Sequence, residues 1–157
     1  MIIEVNKSID TIRATRKLFS ELLDGLPVDL INKIPAGFNN NIVWNFGHVI
    51  VSQQIICYKM AGLPFKIDDA FIAKYAKGSK PESFVEEQEV IFLKQQATQL
   101  IDQLVEDLDT PSFNNYQSYT TSFGVELTSI DDAIKYLTMH EGLHLGYAMA
   151  LKRIVIA

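Results

Sequence analysis

The sequence predicts an all-α protein, a four-helix bundle with short extra helices in its connections. Apolar residues recur at steps of three and four residues in four long segments, which is the pattern of helices that bury one face. Glycines, prolines and asparagines separate these segments, and no internal repeat or low-complexity tract interrupts them. Because each helix has one apolar stripe and four stripes can share one core, we expect a single bundle domain over residues 1–157. The sequence does not fix the order of the helices around that core.

The first two helices are predicted over residues 5–26 and 41–61. Gly25 and Pro27 end the first one, and Asn41 offers its side chain as a cap for the second. The second helix carries an apolar seam at steps of four and three residues, formed by Trp44, His48, Val51, Ile55 and Tyr58. One histidine is therefore expected within the bundle core.

The third and fourth helices each follow a longer connection. A short helix over Ala70–Tyr75 is expected before a long helix over Glu82–Leu108, whose early glutamates suit the positive end of its dipole. Residues 109–127 are rich in turn-forming residues and predict a loop with short extended pieces. Ser129 then caps the last helix, which has acidic residues in its first turn and basic residues near its end.

Composition and charge argue against several functions. Acidic residues outnumber basic ones by 19 to 14, and the basic residues form no patch, so no nucleic-acid partner is expected. The single cysteine, Cys57, permits neither an intrachain disulfide nor a multi-cysteine zinc site, which fits a reducing compartment. The chain contains no apolar leader with a cleavage site and no run of about 18 apolar residues. We expect a cytoplasmic protein with no membrane partner.

The three histidines are the residues that point most directly to chemistry. His140 and His144 are four residues apart, so on a helix they differ by about 40° in azimuth and face the same way. The apolar stripe of the last helix runs through them, and His48 lies in the seam of the second helix. Three imidazoles from two helices are thus expected to bind one divalent metal ion and to leave coordination positions open. Zinc or nickel is favoured, while iron and manganese also accept imidazole. The alternative is a set of hydrogen-bonded core histidines without metal.

The segment His140-Glu141-Gly142-Leu143-His144 matches HExxH, the zinc-protease signature in which the glutamate activates water. Such enzymes take a third ligand further along the chain, but the 13 residues after His144 include no His, Asp or Glu. We therefore do not expect a protease of this type. Glu141 is about 100° from one histidine and about 60° from the other. It is predicted at the margin of the site as a catalytic proton acceptor, with a pairing between helices as the alternative.

Other side chains are candidates for binding a substrate. Trp44 and Asn45 precede the histidine of the second helix by one turn, and Tyr147 falls near the histidines of the last helix. Cys57 falls about 180° around its helix from the site and is not expected to bind the metal. The polar loop over residues 111–128 leads into the last helix and is expected to act as a lid.

Two short motifs about 90 residues apart carry a family resemblance, Trp44-Asn45-Phe46-Gly47-His48 and His140-Glu141-Gly142-Leu143-His144-Leu145-Gly146. The pattern resembles the DinB/YfiT-like superfamily over nearly the whole chain. The resemblance implies a four-helix bundle with a three-histidine divalent metal site on His48, His140 and His144. It also implies frequent homodimers.

Members of that superfamily include thiol-dependent S-transferases, maleylpyruvate isomerase-like enzymes and DNA-damage-inducible proteins. The resemblance therefore implies a metal-dependent enzyme that acts on a small molecule as a hydrolase or a thiol S-transferase, the latter with a low-molecular-weight thiol. A fold alone does not determine a reaction. The alternative is a non-catalytic helical stress-response or binding module whose metal is structural or absent.

Overall fold

The computed structural model describes residues 2–157 and confirms the all-α fold. Its helices are α1 (Ile2–Asp24), α2 (Val28–Asn32), α3 (Ile42–Gln53), α4 (Asp69–Tyr75), α5 (Glu87–Leu108) and α6 (Ile130–Val155). Two strands, β1 (Tyr119–Thr120) and β2 (Glu126–Leu127), form an antiparallel hairpin in the connection before α6. The four long helices α1, α3, α5 and α6 form the bundle. None of the helices in the described part of the chain combines the length and the apolar composition needed to cross a membrane.

The predicted second helix is present but changes its winding along its length. After α3 the chain continues as a π-helical turn over Gln54–Tyr58 and a 3₁₀ turn over Lys59–Ala61. Gly62 then ends the helix with a positive φ of 71°. The predicted caps are also present, since Asn41 accepts a hydrogen bond from the backbone of α3 and Ser129 accepts one from the backbone of α6.

The predicted third helix begins five residues later than expected, at Glu87 instead of Glu82. The Asn32 side chain explains the difference, because it binds both backbone groups of Val85. Its oxygen accepts from the Val85 nitrogen at 2.8 Å, and its amide nitrogen donates to the Val85 carbonyl at 3.0 Å. These two bonds hold the segment before α5 in an extended form against the end of α2.

The helix order around the bundle is not the chain order. α1 packs against α5 and α6, and α3 packs against the same two helices on the opposite side. Arg13 pairs with Asp102, and Asp24, further along α1, pairs with Lys94, earlier on α5, so that α1 and α5 run antiparallel. α6 thus has two neighbours among the long helices, with α1 packed on one of its inner faces and α3 on the other.

The bundle core consists of two apolar clusters with a polar layer between them. Arg16 on α1 lies between Ile12 of one cluster and Phe19 of the other, and it pairs with Glu141 on α6. In the same layer the Gln53 side chain donates to the Leu100 carbonyl of α5 at 2.8 Å. All four long helices therefore contribute polar groups to this layer.

The packing of α4 on α3 depends on a glycine. A Cβ placed on Gly47 would lie 2.3 Å from the Tyr75 ring, whereas a Cβ on Gly25 would meet only ordinary contacts at 3.5 Å or more. Gly47→Ala is therefore expected to lower the free energy of unfolding by about 1–3 kcal/mol, because α4 must move to relieve the clash. Gly25→Ala is the matched control and should leave stability unchanged or raise it slightly. Urea unfolding of the two variants checks the prediction, and equal midpoints would contradict it.

Candidate metal centre

His48 is held in one orientation by groups on both of its sides. It lies on the inner face of α3, where only 7% of its surface is exposed. The Trp44 ring, one turn earlier, stacks on the imidazole at a centroid distance of 4.7 Å with an interplanar angle of 10°. The Nδ1 hydrogen of His48 is donated to the Tyr75 carbonyl at 2.8 Å, and Ser52 Oγ lies 3.4 Å from Nε2. The Nε2 lone pair is thus left with one long contact and is free for a cation.

His140 and His144 bring two further imidazoles to the same place. Their ring centroids are 4.6 Å apart, and they lie 5.3 Å and 4.7 Å from the His48 ring, respectively. One ligand nitrogen from each of the three rings falls within 4.8 Å of the others. Two nitrogen atoms that bind one cation through bonds of about 2 Å lie about 3–4 Å apart. The observed separation of the three nitrogens is close to that distance. The three histidines could therefore hold one metal ion.

Asn45 orients the third imidazole. Its amide nitrogen donates to the Asn41 carbonyl at 2.7 Å, so its oxygen faces α6 and accepts the Nδ1 hydrogen of His144 at 2.8 Å. A hydrogen bond of this kind fixes the tautomer of a metal-binding histidine and raises the basicity of its other nitrogen. In the structure the Asn45 side chain contacts His144, and its expected contact with a substrate stays a prediction.

The surroundings of His140 also fit a metal ligand. Its ring is 8% exposed and packs against Tyr136 at a centroid distance of 5.9 Å. Its Nδ1 is buried and has no hydrogen-bond partner among residues 2–157. A buried polar atom without a partner costs about 1–3 kcal/mol, so an unpaired ring nitrogen beside two other imidazoles is better explained by a cation than by core packing.

Burial lowers the pKa of all three imidazoles. It lowers the pKa of His140 to about 3, with smaller contributions from the charges of His144 and His48. It lowers the pKa of His144 to about 4, again with a contribution from His48. For His48 the hydrogen bond to the Tyr75 carbonyl opposes the effect of burial, and the pKa remains below its ordinary value. The rings are therefore neutral near pH 7, and neutral imidazole is the form that binds metal.

Glu141 does not lie at the margin of the site, and here the sequence-based expectation needs correction. The side chain is fully buried, and its carboxylate accepts from Arg16 Nε at 3.1 Å and from Arg16 Nη2 at 2.7 Å. Burial raises the pKa of Glu141, and the guanidinium opposes that rise. The reason is the helical step of about 100° per residue, which turns Glu141 away from α3 and toward α1. The alternative of a pairing between helices describes the observed contact.

The other sequence-based candidates lie around the three rings. Besides stacking on His48, the Trp44 ring lines a cleft of about 350 Å³ and donates from Nε1 to Ser79 at 3.0 Å. Tyr147 is 38% exposed and packs edge-on against Phe38 at 5.9 Å, so no contact places it on a histidine. Cys57 is fully buried in the apolar cluster that contains Ile12 and does not belong to the histidine group.

The loop before α6 contacts the site through Tyr136. Phe123, at the tip of the β1–β2 hairpin, packs edge-on against Tyr136 at 6.4 Å, and Tyr136 in turn packs on His140. This chain of contacts agrees with the position expected for a lid, although its closure stays a prediction. Accelerated proteolysis of the loop in apo protein, relative to ligand-bound protein, would support closure.

The sequence analysis did not predict two groups that hold residues of this region in place, and the reasons differ. The Tyr75 group that binds His48 is a backbone carbonyl at the end of a short helix, and no side-chain pattern marks it. Arg16, in contrast, interrupts the apolar stripe of α1 formed by Ile9, Ile12, Phe19 and Leu23. A lone charge at a stripe position is the signal that could have indicated a buried ion pair with another helix.

Removing the hydrogen-bond acceptor of Asn45 should weaken metal binding. Asn45→Leu keeps the side-chain volume but leaves His144 Nδ1 without its acceptor, and we expect Zn²⁺ affinity to fall by about 10- to 100-fold. Asn45→Asp is the matched control, because it retains an oxygen at that position and should bind Zn²⁺ as tightly as the natural protein or more tightly. Competition with a chromophoric chelator measures both affinities. Equal affinity in the Leu and Asp variants would show that this hydrogen bond does not orient the ligand.

Comparison with known proteins finds a family match over nearly the whole chain. A family model described as the DinB superfamily matches residues 11–148. No curated protein sequence matches the chain. The matched residues include the three histidines and most of the two helices that carry them.

Proposed function

Since the chain belongs to the DinB superfamily, we propose that it is a metal-dependent enzyme that acts on a small molecule through the three-histidine site. One observation carries the proposal, namely that ligand nitrogens of His48, His140 and His144 lie within 4.8 Å of one another. Zinc or nickel is the favoured metal, because both accept imidazole nitrogen readily. Iron and manganese are the further candidates.

The ligand set supports a catalytic site over a structural one. Structural zinc sites are closed by four protein ligands, whereas catalytic sites take three and leave a position for water or substrate. In the described part of the chain, only the three histidines form a group able to hold a metal. The alternative is a non-catalytic helical module whose metal is structural or absent, and the ligand set gives less support to its structural-metal form.

The chain's own residues prepare the site in two ways. Trp44 and Tyr136 cover the faces of His48 and His140 and keep water from them. Asn45 fixes the tautomer of His144. A divalent ion bound there would polarise a carbonyl group or lower the pKa of a bound water or thiol. Either effect suits the proposed hydrolase or thiol S-transferase chemistry.

The reaction class can be tested with two substrate panels. One panel pairs low-molecular-weight thiols with a small electrophile, and the other contains small esters and amides. We expect zinc- or nickel-loaded protein to turn over members of one panel, and apo protein and His144→Ala to be inactive on both. Equal rates with loaded and apo protein would contradict a metal-dependent reaction. Binding of metal without turnover on either panel would favour the non-catalytic module.

We further propose that the homodimer expected for this family forms through the outer face of α6. All exposed residues of α6 between Lys135 and Arg153 are uncharged, namely Met139, Gly142, Leu143, Gly146, Tyr147, Met149 and Ala150. The two glycines leave room for a second helix to approach closely. α6 begins with Asp131 and Asp132 and ends with Lys152 and Arg153, so an antiparallel pair places opposite charges together at both ends.

A cysteine crosslink tests this interface. The only natural cysteine is buried, so a cysteine placed at Gly142 would be the only one accessible. We expect Gly142→Cys to form a disulfide-linked dimer under mild oxidation, since the midpoint of an antiparallel α6 pair lies near this position. Thr98→Cys on the exposed face of α5 is the matched control and should stay uncrosslinked. Equal crosslinking of the two variants, or a monomer mass by light scattering, would contradict the interface.

A further inference from the structure

A second concave site lies beside the histidines and does not include them. The cleft of about 350 Å³ that the Trp44 ring lines is formed by the first turn of α3, by α4 and by the segment over residues 79–85 that leads to α5. None of the three histidines lines this cleft. Its volume falls near the lower end of the range of about 300–1,000 Å³ that is typical of sites for small molecules.

The floor of the cleft is apolar, and the segment above it is held at both ends. Four buried side chains supply the floor, namely Val43, Trp44, Tyr75 and Val85. At one end of the segment, Ser79 Oγ accepts a hydrogen bond from Trp44 Nε1 at 3.0 Å. At the other end, the Asn32 side chain binds both backbone groups of Val85. The cleft is thus formed before a ligand enters, which lowers the entropic cost of binding.

The rim of the cleft carries one unmatched charge of each sign. Lys80 and Glu82 are exposed and line the cleft from positions two residues apart in the segment. Within residues 2–157, neither forms an ion pair with the other or with a third residue. Lys74 also lines the cleft, but its ammonium already binds both carboxylate oxygens of Glu89 at 2.7 Å. An ammonium group and a carboxylate without partners therefore border one apolar cavity.

From this arrangement we propose that the cleft binds a small zwitterion with an apolar body, the chemistry of an α-amino acid with an apolar side chain. The apolar body lies on the floor beside Trp44 and Tyr75. The carboxylate of the ligand pairs with Lys80, and its ammonium group pairs with Glu82. A monoanion or a monocation of similar size satisfies only one of the two rim charges. The inference goes beyond the proposed metal-dependent reaction, because no histidine contributes to the cleft.

The fluorescence of Trp44 measures binding in this cleft without any assay of activity, because the chain has no other tryptophan. The probes share a phenyl body: phenylalanine carries both charges, hydrocinnamate lacks the ammonium group and phenethylamine lacks the carboxylate. Metal-free full-length protein is titrated, so that no bound cation can take the amino acid as a ligand. We expect phenylalanine to change the emission saturably and the other two to bind about two- to fivefold more weakly, as the loss of one exposed ion pair predicts. Equal or tighter binding of either, or no saturable change with phenylalanine, would overturn the inference.

Two rim variants assign each charge to its partner on the ligand. Lys80→Met should remove the advantage of phenylalanine over phenethylamine, since these two differ by the carboxylate. Glu82→Gln should remove its advantage over hydrocinnamate, since these two differ by the ammonium group. Lys77→Met is the matched control, because Lys77 is an exposed residue of the same connection that does not line the cleft. Equal effects of Lys77→Met and Lys80→Met would show that net charge decides the affinity, and would overturn the proposed pairing.

A third pair of variants separates the cleft from the histidines. Ala73, exposed on α4, lines the cleft, so Ala73→Phe should fill the space and abolish the response to phenylalanine. His144→Ala should keep the response of the natural protein, and circular dichroism checks that both variants are folded. The reverse pattern would place the ligand at the histidines and overturn the inference. Failure of the natural protein to bind metal would contradict the proposed function, whereas the response of Trp44 to phenylalanine would still support the cleft.

Discussion

Glu141→Ala is expected to lower the free energy of unfolding by about 3–5 kcal/mol. The substitution leaves the Arg16 guanidinium buried without a counter-charge, since Arg16 is 3% exposed and its other hydrogen bond goes to the Ala97 carbonyl. Urea unfolding at pH 7 measures the change. A loss below about 1 kcal/mol would contradict the structural role given to this ion pair.

Two controls separate the cost of an unpaired charge from other effects. Replacing both partners, with Arg16→Met and Glu141→Leu in one chain, should recover most of the lost stability, because well-packed apolar groups often match a buried ion pair. The exposed pair of Arg13 and Asp102 joins the same helix α1 to α5. Asp102→Ala should therefore cost less than about 1 kcal/mol.

His144→Ala is expected to abolish stoichiometric metal binding while leaving the fold intact. Loss of a hydrogen-bonding partner of a ligand reduces metal affinity by about 10- to 100-fold. Loss of the ligand itself should reduce metal affinity by more than that. The fold should survive because His144 is only partly buried and its hydrogen bond joins it to Asn45 alone. Zinc titration and the helical signal in circular dichroism measure the two effects.

Further variants show whether the loss of metal binding is specific to the three histidines. His48→Ala and His140→Ala should also lose the metal, since each supplies one ligand of the same group. Tyr147→Ala changes an exposed side chain on the same helix and should keep the metal. Natural metal affinity in any of the three histidine variants would contradict a shared site.

The helices were predictable because their signals are local. The apolar stripes, the cap at Asn41 and the cap at Ser129 each depend on residues within one or two turns. The start of α5 was not predictable, since Asn32 holds Val85 across 53 positions in the sequence. The order of the long helices around the core also depends on contacts that no local pattern records.

The candidate site also combines features that the sequence predicts with features that depend on packing. The four-residue spacing of His140 and His144 predicts that they share one face of their helix. The apolar seam of α3 predicts that His48 faces the core. The structure then brings the three together. The position of Glu141 depended on whether the helix beside it was α3 or α1, which only the packing decides. The roles of Asn45 and of the Tyr75 carbonyl depend on side-chain and backbone directions that the sequence does not contain.

We propose that three imidazoles hold one divalent metal ion. X-ray absorption on protein produced without a histidine-rich tag and reloaded with zinc tests it most directly, together with elemental analysis of the same sample. We expect one zinc ion per chain, with three imidazole nitrogens at about 2.0–2.1 Å and an oxygen ligand from water in the open position. Protein that retains no stoichiometric zinc, or a spectrum without imidazole scattering, would contradict it.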